Sequence, residues 1–203
     1  MPTLNKFSQA NIFAIIALLS GLTPVSAAEN VDMEIKATGD ASVIIELDPG
    51  KWAGETFVAT GNGYIDSIGL STNGGKFAVA FREGYGTKGK LLHKQDLNFS
   101  NTRIGQLNHQ KLSKRVPVKA GKTYSFIVTN RHSDMRGVFQ TRGNGYKYGD
   151  KLGRIDPNSA GFDIFFSLRG KVDKLVKLPA PPAPLKKMTI GMDRINGPGN
   201  FRL

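Results

Sequence analysis

The sequence contains no cysteine and few of two other residue types that carry chemistry. Only three histidines and five glutamates occur among its 203 residues. Without cysteine the chain has no disulfide, no thiolate metal site and no acylation site of the lipoprotein type. The folded part must therefore be stabilised by a hydrophobic core that is large enough on its own.

Long apolar runs are also scarce, and the one that occurs lies near the N-terminus. Ile12–Leu22 is 11 residues long, about half of what a membrane-spanning helix needs. Lys6 precedes it, and the small residues Val25-Ser26-Ala27-Ala28 follow, which is the order typical of a secretory signal. We expect residues 1–27 to be a signal peptide and the mature chain to reach the periplasm or the exterior, with no membrane span.

Positive charge dominates the chain, with or without the predicted signal peptide. The net charge is +12, and removal of residues 1–27 takes away only Lys6, which leaves +11 on 176 residues. Such a surplus attracts polyanions. Because export argues against nucleic acid, the expected partners are glycans or other anionic surface polymers; the alternative is a role in solubility alone.

The body of the mature chain is made of short segments with alternating polarity, separated by turn residues. Asn-Gly dipeptides at 62–63, 73–74 and 144–145 are typical of tight hairpin turns. No capped helical pattern of a dozen residues is present. Nine strands are predicted, at 43–47, 55–60, 64–71, 76–82, 90–97, 115–118, 123–129, 136–140 and 162–168. This pattern predicts an all-β fold, an antiparallel β-sandwich or jelly roll over residues 30–170.

The chain changes character after Gly170. Residues 171–203 carry seven Lys or Arg against two Asp, and residues 179–184 are a Pro-Ala spacer of the polyproline II type. We expect a basic, Pro-rich tail. Residues 185–203 are either a docking peptide for a protein partner or a disordered end without a role.

Several motifs of the body together resemble bacterial secreted jelly-roll modules of the carbohydrate-binding type. A strand, Phe77–Phe81, is followed by the turn Gly84–Gly89, and Val118–Phe126 fits a later Val-x-x-Gly-x-x-Tyr-x-Phe motif. Gly145–Gly149 and Phe162–Phe166 are similar to the closing loop and the last strand of such modules. The resemblance covers about residues 40–170. It implies the fold more than any ligand, because these motifs are turns and core positions.

Two motifs that suggest an enzyme fail on physical grounds. Gly84–Leu91 contains G-x-G-x-x-G and approaches a P-loop, but Leu91 stands where Ser or Thr would hold magnesium, and no helix follows. His132-Ser133-Asp134 has the residue types of a hydrolase triad, yet three consecutive residues cannot converge as a triad must. We expect a turn at the first motif and no catalysis at the second.

Carboxylates leave two further alternatives. We expect solvated carboxylates at Glu46, Glu55 and Glu83, which are predicted at strand ends or on polar faces. The alternative that two of them form the catalytic pair of a polysaccharide-active enzyme stays open. Strand-end aspartates suit a structural calcium ion, and the candidate ligands are Asp150, Asp156 and Asp163; turn capping is the alternative for the first two. The three histidines, His93, His109 and His132, lack metal-ligand spacing and are expected at surfaces or strand edges.

Glycan binding requires an exposed aromatic ring with polar groups beside it. Tyr146 and Tyr148 are two residues apart, so an extended segment would present both rings on one side; packing of this loop under the sandwich is the alternative. Arg131 and Arg136 could add charge-assisted contacts to acidic groups. The candidate ligand-binding residues are Trp52, Tyr85, Arg142, Asn144, Tyr146, Lys147 and Tyr148.

These observations favour an exported, noncatalytic module that binds a glycan or another anionic surface ligand. A structural or assembly component of the cell envelope or matrix, acting through residues 185–203, is the alternative from a different class. No cofactor is expected, apart from the structural calcium named above.

Overall fold

All regular secondary structure in the described part of the chain is β-strand. The structure is a computed structural model, and it describes residues 30–37, 39–141, 145–149, 151–153 and 163–180. The strands are β1 (Val31–Lys36), β2 (Ala41–Leu47), β3 (Trp52–Val58), β4 (Gly63–Leu70), β5 (Asn73–Glu83), β6 (Leu91–Asn101), β7 (Asn108–Val118), β8 (Thr123–Asn130), β9 (Arg136–Thr141), β10 (Lys151–Gly153) and β11 (Phe166–Val172).

The strands form two larger antiparallel sheets and one small one. The four-stranded sheet has the order β1-β11-β4-β7, and the five-stranded sheet has the order β10-β3-β8-β5-β6. Strands β2 and β9 pair with each other, and isolated bridges from Thr72 to Val138 and from Gln140 to Ile164 extend this pairing. The fold is therefore an antiparallel β-sandwich, which confirms the fold class predicted from the sequence.

Aromatic side chains fill the core between the two large sheets. Phe57, Phe77, Phe81, Phe126 and Phe166 are fully buried. The rings of Phe126 on β8 and Phe166 on β11 have centroids 4.9 Å apart, so they join the five-stranded sheet to the four-stranded one. Truncation of such a residue to alanine costs about 3–5 kcal/mol, which explains how a chain without disulfides holds this fold.

The central strands of the five-stranded sheet are buried on both faces. Residues 124–128 of β8 are all buried, whereas the alternating polarity predicted for the strand at 123–129 would bury only one face, so that expectation is wrong here. Ala78, Ala80, Ile127 and Leu152 are buried but lie apart from the main core cluster, because their side chains project from the opposite face of this sheet. Two-sided burial removes the alternation from which a half-exposed strand is recognised.

The sequence predicted which strands are present better than it predicted where they begin and end. Strands β1 and β10 were missed, and β7 begins at Asn108 although only its end, from Arg115, was predicted. The last strand begins at Phe166 and not at residue 162, because the chain at Phe165 first pairs with β9: its N–H donates to the carbonyl of Phe139 over 2.8 Å. The chain then enters the four-stranded sheet as β11.

Strand β11 continues past Gly170 to Val172, which is fully buried. The next residues still contact the sandwich, because Asp173 N–H donates to Asn62 O over 2.9 Å and Val176 N–H donates to Thr60 O. The predicted signal peptide, residues 1–27, and the predicted docking peptide, residues 185–203, lie outside the described residues. In the described part, no helix is long and apolar enough to cross a membrane.

Candidate functional site

The connection between β5 and β6 presents an aromatic ring to solvent. We call residues 84–90 the Tyr85 loop. Gly84 and Gly86 have φ of 86° and 74°, a left-handed conformation that glycine adopts without a steric penalty. The Gly-Tyr-Gly sequence therefore allows the chain to turn sharply on both sides of Tyr85, as the turn predicted for this motif requires.

A single buried hydroxyl holds both neighbours of Tyr85. Ser125 on β8 is fully buried. Its Oγ donates to the carbonyl of Gly84 over 2.7 Å and accepts the N–H of Gly86 over 2.8 Å. Arg82 adds a third hydrogen bond to the loop, since its Nη1 donates to Gly89 O over 2.7 Å. The backbone on either side of Tyr85 is thus fixed to the sheet, and the ring projects from a restrained turn.

Tyr85 is the most exposed large hydrophobic side chain in the described residues, at 61%. Two exposed cations, Lys88 and Lys90, belong to the same loop. At the base of the loop, Glu83 is ion-paired with Lys122 over 3.2 Å, so its charge is compensated. The loop therefore combines an accessible aromatic ring with a local excess of positive charge.

Tyr146 and Tyr148 do not form an exposed stacking pair, and that prediction is wrong for Tyr146. Its side chain is only 7% exposed and packs edge-on against Phe166, with centroids 5.6 Å apart. Its hydroxyl accepts the N–H of Val58 over 3.0 Å. Burial raises the pKa of Tyr146 to about 12. Tyr148 is half-buried and packs on the same core cluster, so the loop-packing alternative describes this segment.

The other predicted ligand-binding residues do not gather around Tyr85. Trp52 is half-buried and begins β3 opposite Thr129, four residues along β8 from Ser125 and so about 13 Å away. Lys147 is exposed beside Tyr146. Arg142 and Asn144 lie outside the described residues, so their part in the prediction stays a prediction.

The turn between β8 and β9, at the Trp52 end of the sheet, carries a separate cluster. Asn130 is fully buried, and its Nδ2 donates to the carbonyls of Leu47 and Asp134, each over 2.8 Å. Arg136 Nη2 lies 3.3 Å from His132 Nε2, and His132 Nδ1 lies 3.5 Å from an oxygen of Asp134. These contacts brace the turn; Arg131 is exposed beside them.

Of the three strand glutamates, one contradicts the expectation of a solvated carboxylate. Glu55 is completely buried in the middle of β3, on the core side in register with Phe126. Its Oε2 accepts the N–H of Ile164 over 3.3 Å. Glu46 is exposed and Glu83 is half-buried in its ion pair. Glu55 is an internal acceptor for the chain that enters β11, since a buried backbone donor needs a partner.

Asp163, a predicted calcium ligand, is also buried. Its Oδ2 accepts the N–H of Tyr146 over 2.6 Å, and its carbonyl accepts the N–H of Thr141 over 2.8 Å. Among the described residues, no group of three or more His, Asp or Glu side chains is placed to hold a metal ion. Asp150 and Asp156 lie outside these residues, so the calcium site stays a prediction.

Comparisons with known proteins give little further guidance. No family model and no curated protein matches the sequence. Matching solved structures include those of infectious bursal disease virus, Gx strain and Gt strain, each with 13% identity and a TM-score of 0.32. Each match covers 75% of this chain and 40% of the viral chain, so this chain spans under half the length of those proteins. A likeness this weak carries no argument about function.

Proposed function

We propose that this protein is an exported, noncatalytic module that binds a glycan through the Tyr85 loop. The observation that carries the proposal is the presentation of Tyr85, which is 61% exposed while both adjacent glycines are fixed to the buried hydroxyl of Ser125. An exposed aromatic residue is more often one of many scattered surface groups. An exposed ring on a restrained glycine turn suits a binding role better.

The chemistry of the loop favours a saccharide with acidic groups. A tyrosine ring offers a rigid apolar face of large area, onto which the apolar face of a sugar ring can stack. Lys88 and Lys90 can donate charge-assisted hydrogen bonds to carboxylate, sulfate or phosphate substituents. Because the loop backbone is already ordered, binding costs little additional conformational entropy.

Two inferences from the sequence support this proposal. The arrangement of residues 1–28 is typical of a secretory signal, and the motifs of residues 40–170 resemble secreted jelly-roll modules of the carbohydrate-binding type. Both agree with a binding role outside the cytoplasm, where glycans are the abundant surface polymers.

A glycan-array screen of residues 28–203 tests the proposal, with Tyr85→Ala and Tyr85→Phe as paired variants. We expect selective binding that survives raised salt, is retained by Tyr85→Phe, and falls at least about tenfold in Tyr85→Ala. Trp52→Ala is the matched control, because Trp52 lies at the other end of β3. Equal losses in Trp52→Ala and Tyr85→Ala, or no loss in Tyr85→Ala, would contradict the assignment.

One observation favours a second candidate, an assembly component of the cell envelope or matrix that acts through its tail. Residues 173–176 are hydrogen-bonded to the connection between β3 and β4, so the chain towards the predicted tail is tied to the sandwich. A partner bound to residues 185–203 would then be held beside a fixed body. Deletion of residues 181–203 separates the two candidates: loss of partner association with intact glycan binding selects the assembly role.

A further inference from the structure

Positive charge is concentrated in one stretch of the chain that lacks acidic residues entirely. Residues 97–133 contain seven Lys or Arg and no Asp or Glu. Three of these cations fall within five consecutive positions of β7 and are exposed. We call Lys111, Lys114 and Arg115 the β7 cation cluster. Strand β7 is the last strand in the order of its sheet, so the cluster lies along an edge of the sandwich.

A large bulge pushes two of these side chains outward. Ile65 on β4 pairs with Val116, but Ser67 pairs with Lys111, so residues 112–115 face a single residue of β4, Asp66. Bulges of this kind bend a strand and redirect its side chains. The regular alternation of β7 is interrupted here, and Ser113, Lys114 and Arg115 are all exposed.

Two contacts hold the base of the bulge. Leu112 is 5% exposed and belongs to the hydrophobic core. The N–H of Ser113 donates to Oε1 of Gln95 on β6 over 2.7 Å. Since both contacts come from within the bulge, its shape is a fixed feature of the surface.

The guanidinium of Arg115 is oriented by an aromatic ring. Its Cζ lies 4.2 Å from the centroid of Tyr64 on β4. Stacking of this type holds the planar group by its face and leaves its N–H donors in the plane available. An arginine restrained in this way loses less side-chain entropy when it binds an anion.

No carboxylate in the described structure neutralises the cluster. None of its three cations makes an ion pair with a described residue, and Asp66 is not within ion-pair distance of them. The acidic groups of β1, at the other edge of this sheet, are already ion-paired: Glu34 with Lys36 over 3.0 Å and with Arg169 over 2.9 Å, and Asp32 with Lys171 over 3.5 Å. The charge at β7 is therefore uncompensated by the fold itself.

We propose that the β7 cation cluster is a second binding surface, separate from the Tyr85 loop, and that it takes an acidic polysaccharide. Three exposed cations along a strand edge, one of them oriented by stacking, suit a linear polymer that carries repeated carboxylates or sulfates. The exposed β7 residues from 111 to 117 besides the cations are Ser113 and Pro117, so no bulky apolar group is available for insertion into a bilayer. The ring of Tyr64 already carries Arg115 on its face, so it is not a free platform for nucleic-acid bases.

The test uses residues 28–203 and polygalacturonate, titrated at several salt concentrations. The cluster variant is Lys111→Gln, Lys114→Gln, Arg115→Gln. Its matched control, Lys36→Gln, Lys76→Gln, Lys171→Gln, removes the same charge from lysines that are ion-paired. Melting temperatures establish that both variants are folded.

We expect the cluster variant to bind at least about tenfold more weakly and its salt slope to fall by about one per cation removed, whereas the control stays within about twofold of wild type. Equal losses of affinity in both variants would show that binding depends only on the net charge of the protein, and would overturn the proposal. So would equal or tighter binding to duplex DNA, or to vesicles of anionic lipid, at matched charge concentration. The cluster variant should keep the Tyr85-dependent binding seen on the glycan array, because the two surfaces are separate; loss of that binding in the cluster variant would refute the separate site.

Discussion

At the scale of single residues, hydrogen-bonding groups decide which loops are rigid. The Ser125 hydroxyl accepts one bond and donates one, and its partners, Gly86 and Gly84, are 39 and 41 residues away along the chain. No local pattern in the sequence marks this serine as a loop anchor. Its position in the middle of β8, with a buried side chain that faces the loop, gives it that role.

Substitution Ser125→Ala should therefore loosen the Tyr85 loop with little effect on the fold. Loss of the hydroxyl leaves the Gly86 N–H without its partner and costs about 1–3 kcal/mol locally. We expect amide hydrogen exchange to accelerate at residues 84–89 and glycan affinity to fall, with core amides unchanged. Ser113→Ala is the matched control, since only the backbone of Ser113 makes the contact described. Unaltered exchange at residues 84–89 would contradict the anchoring role.

A second prediction at this scale concerns acid stability. Burial raises the pKa of Glu34, but hydrogen bonds from Lys36, Arg169 and Ser167 lower it more, to about 2 from the ordinary value of 4.5. A depressed pKa in the folded state means that the carboxylate stabilises the fold above about pH 4.5 and that this contribution is lost as the pH falls through about 2.

The urea midpoint of the wild type should therefore decline from pH 5 to pH 2 more steeply than that of Glu34→Gln. The effect is small, because the group is one-third exposed and solvent screens it. Glu46→Gln, which removes an exposed carboxylate of β2, should keep the wild-type slope. Parallel curves for Glu34→Gln and wild type would show that the ion pairs contribute nothing.

At the scale of elements, the turn between β8 and β9 depends on one buried amide. Asn130 Nδ2 donates to Leu47 O and Asp134 O, and its Oδ1 accepts the N–H of His132 over 2.8 Å. Asn130→Ala leaves these three groups without their partner, and the bond to Leu47 O among them is buried. We expect the free energy of unfolding to fall by about 1–3 kcal/mol or more, measured by urea titration. Asn98→Ala on the exposed side of β6 is the control and should change it by less than about 0.5 kcal/mol.

The same scale shows what the sequence can and cannot reveal. Alternation and turn residues located nine of the strands, because local pattern reports local geometry. They missed most of β7, since a bulge with exposed residues on consecutive positions has no period. They placed Glu55 in solvent, because its partner Ile164 is 109 residues away and its burial is a property of the assembled sandwich.

The candidate site follows the same rule. Tyr85 could be predicted because Gly-Tyr-Gly between two strands specifies a turn with the ring outside it. Tyr146 lies in an equally turn-rich sequence, yet its ring fills a gap beside Phe166, which depends on where β11 packs. Exposure of an aromatic residue in a loop is therefore a tertiary property that composition does not determine.

At the scale of the whole molecule, the surplus of positive charge has an energetic consequence. The ion contacts of the described residues include three centred on Glu34 or Glu83, and exposed pairs of this kind contribute about 0–1 kcal/mol each. The repulsion within a chain of net charge +12 acts against the compact state. Salt screens both effects, but the net charge of the chain is strongly positive, so we expect relief of the repulsion to dominate.

We therefore expect the melting temperature of residues 28–203 to rise when sodium chloride is increased from about 20 mM to about 300 mM, because screening shortens the reach of the repulsion from about 20 Å to under 10 Å. Each kcal/mol of repulsion relieved corresponds to roughly 2–4 °C. The rise should be smaller in the β7 cluster variant than in the Lys36, Lys76 and Lys171 control, since the cluster concentrates uncompensated charge. A fall in melting temperature with salt would mean that the ion pairs outweigh the repulsion. The β7 cation cluster would then not destabilise the fold, and an anionic ligand could not stabilise it by relieving repulsion there.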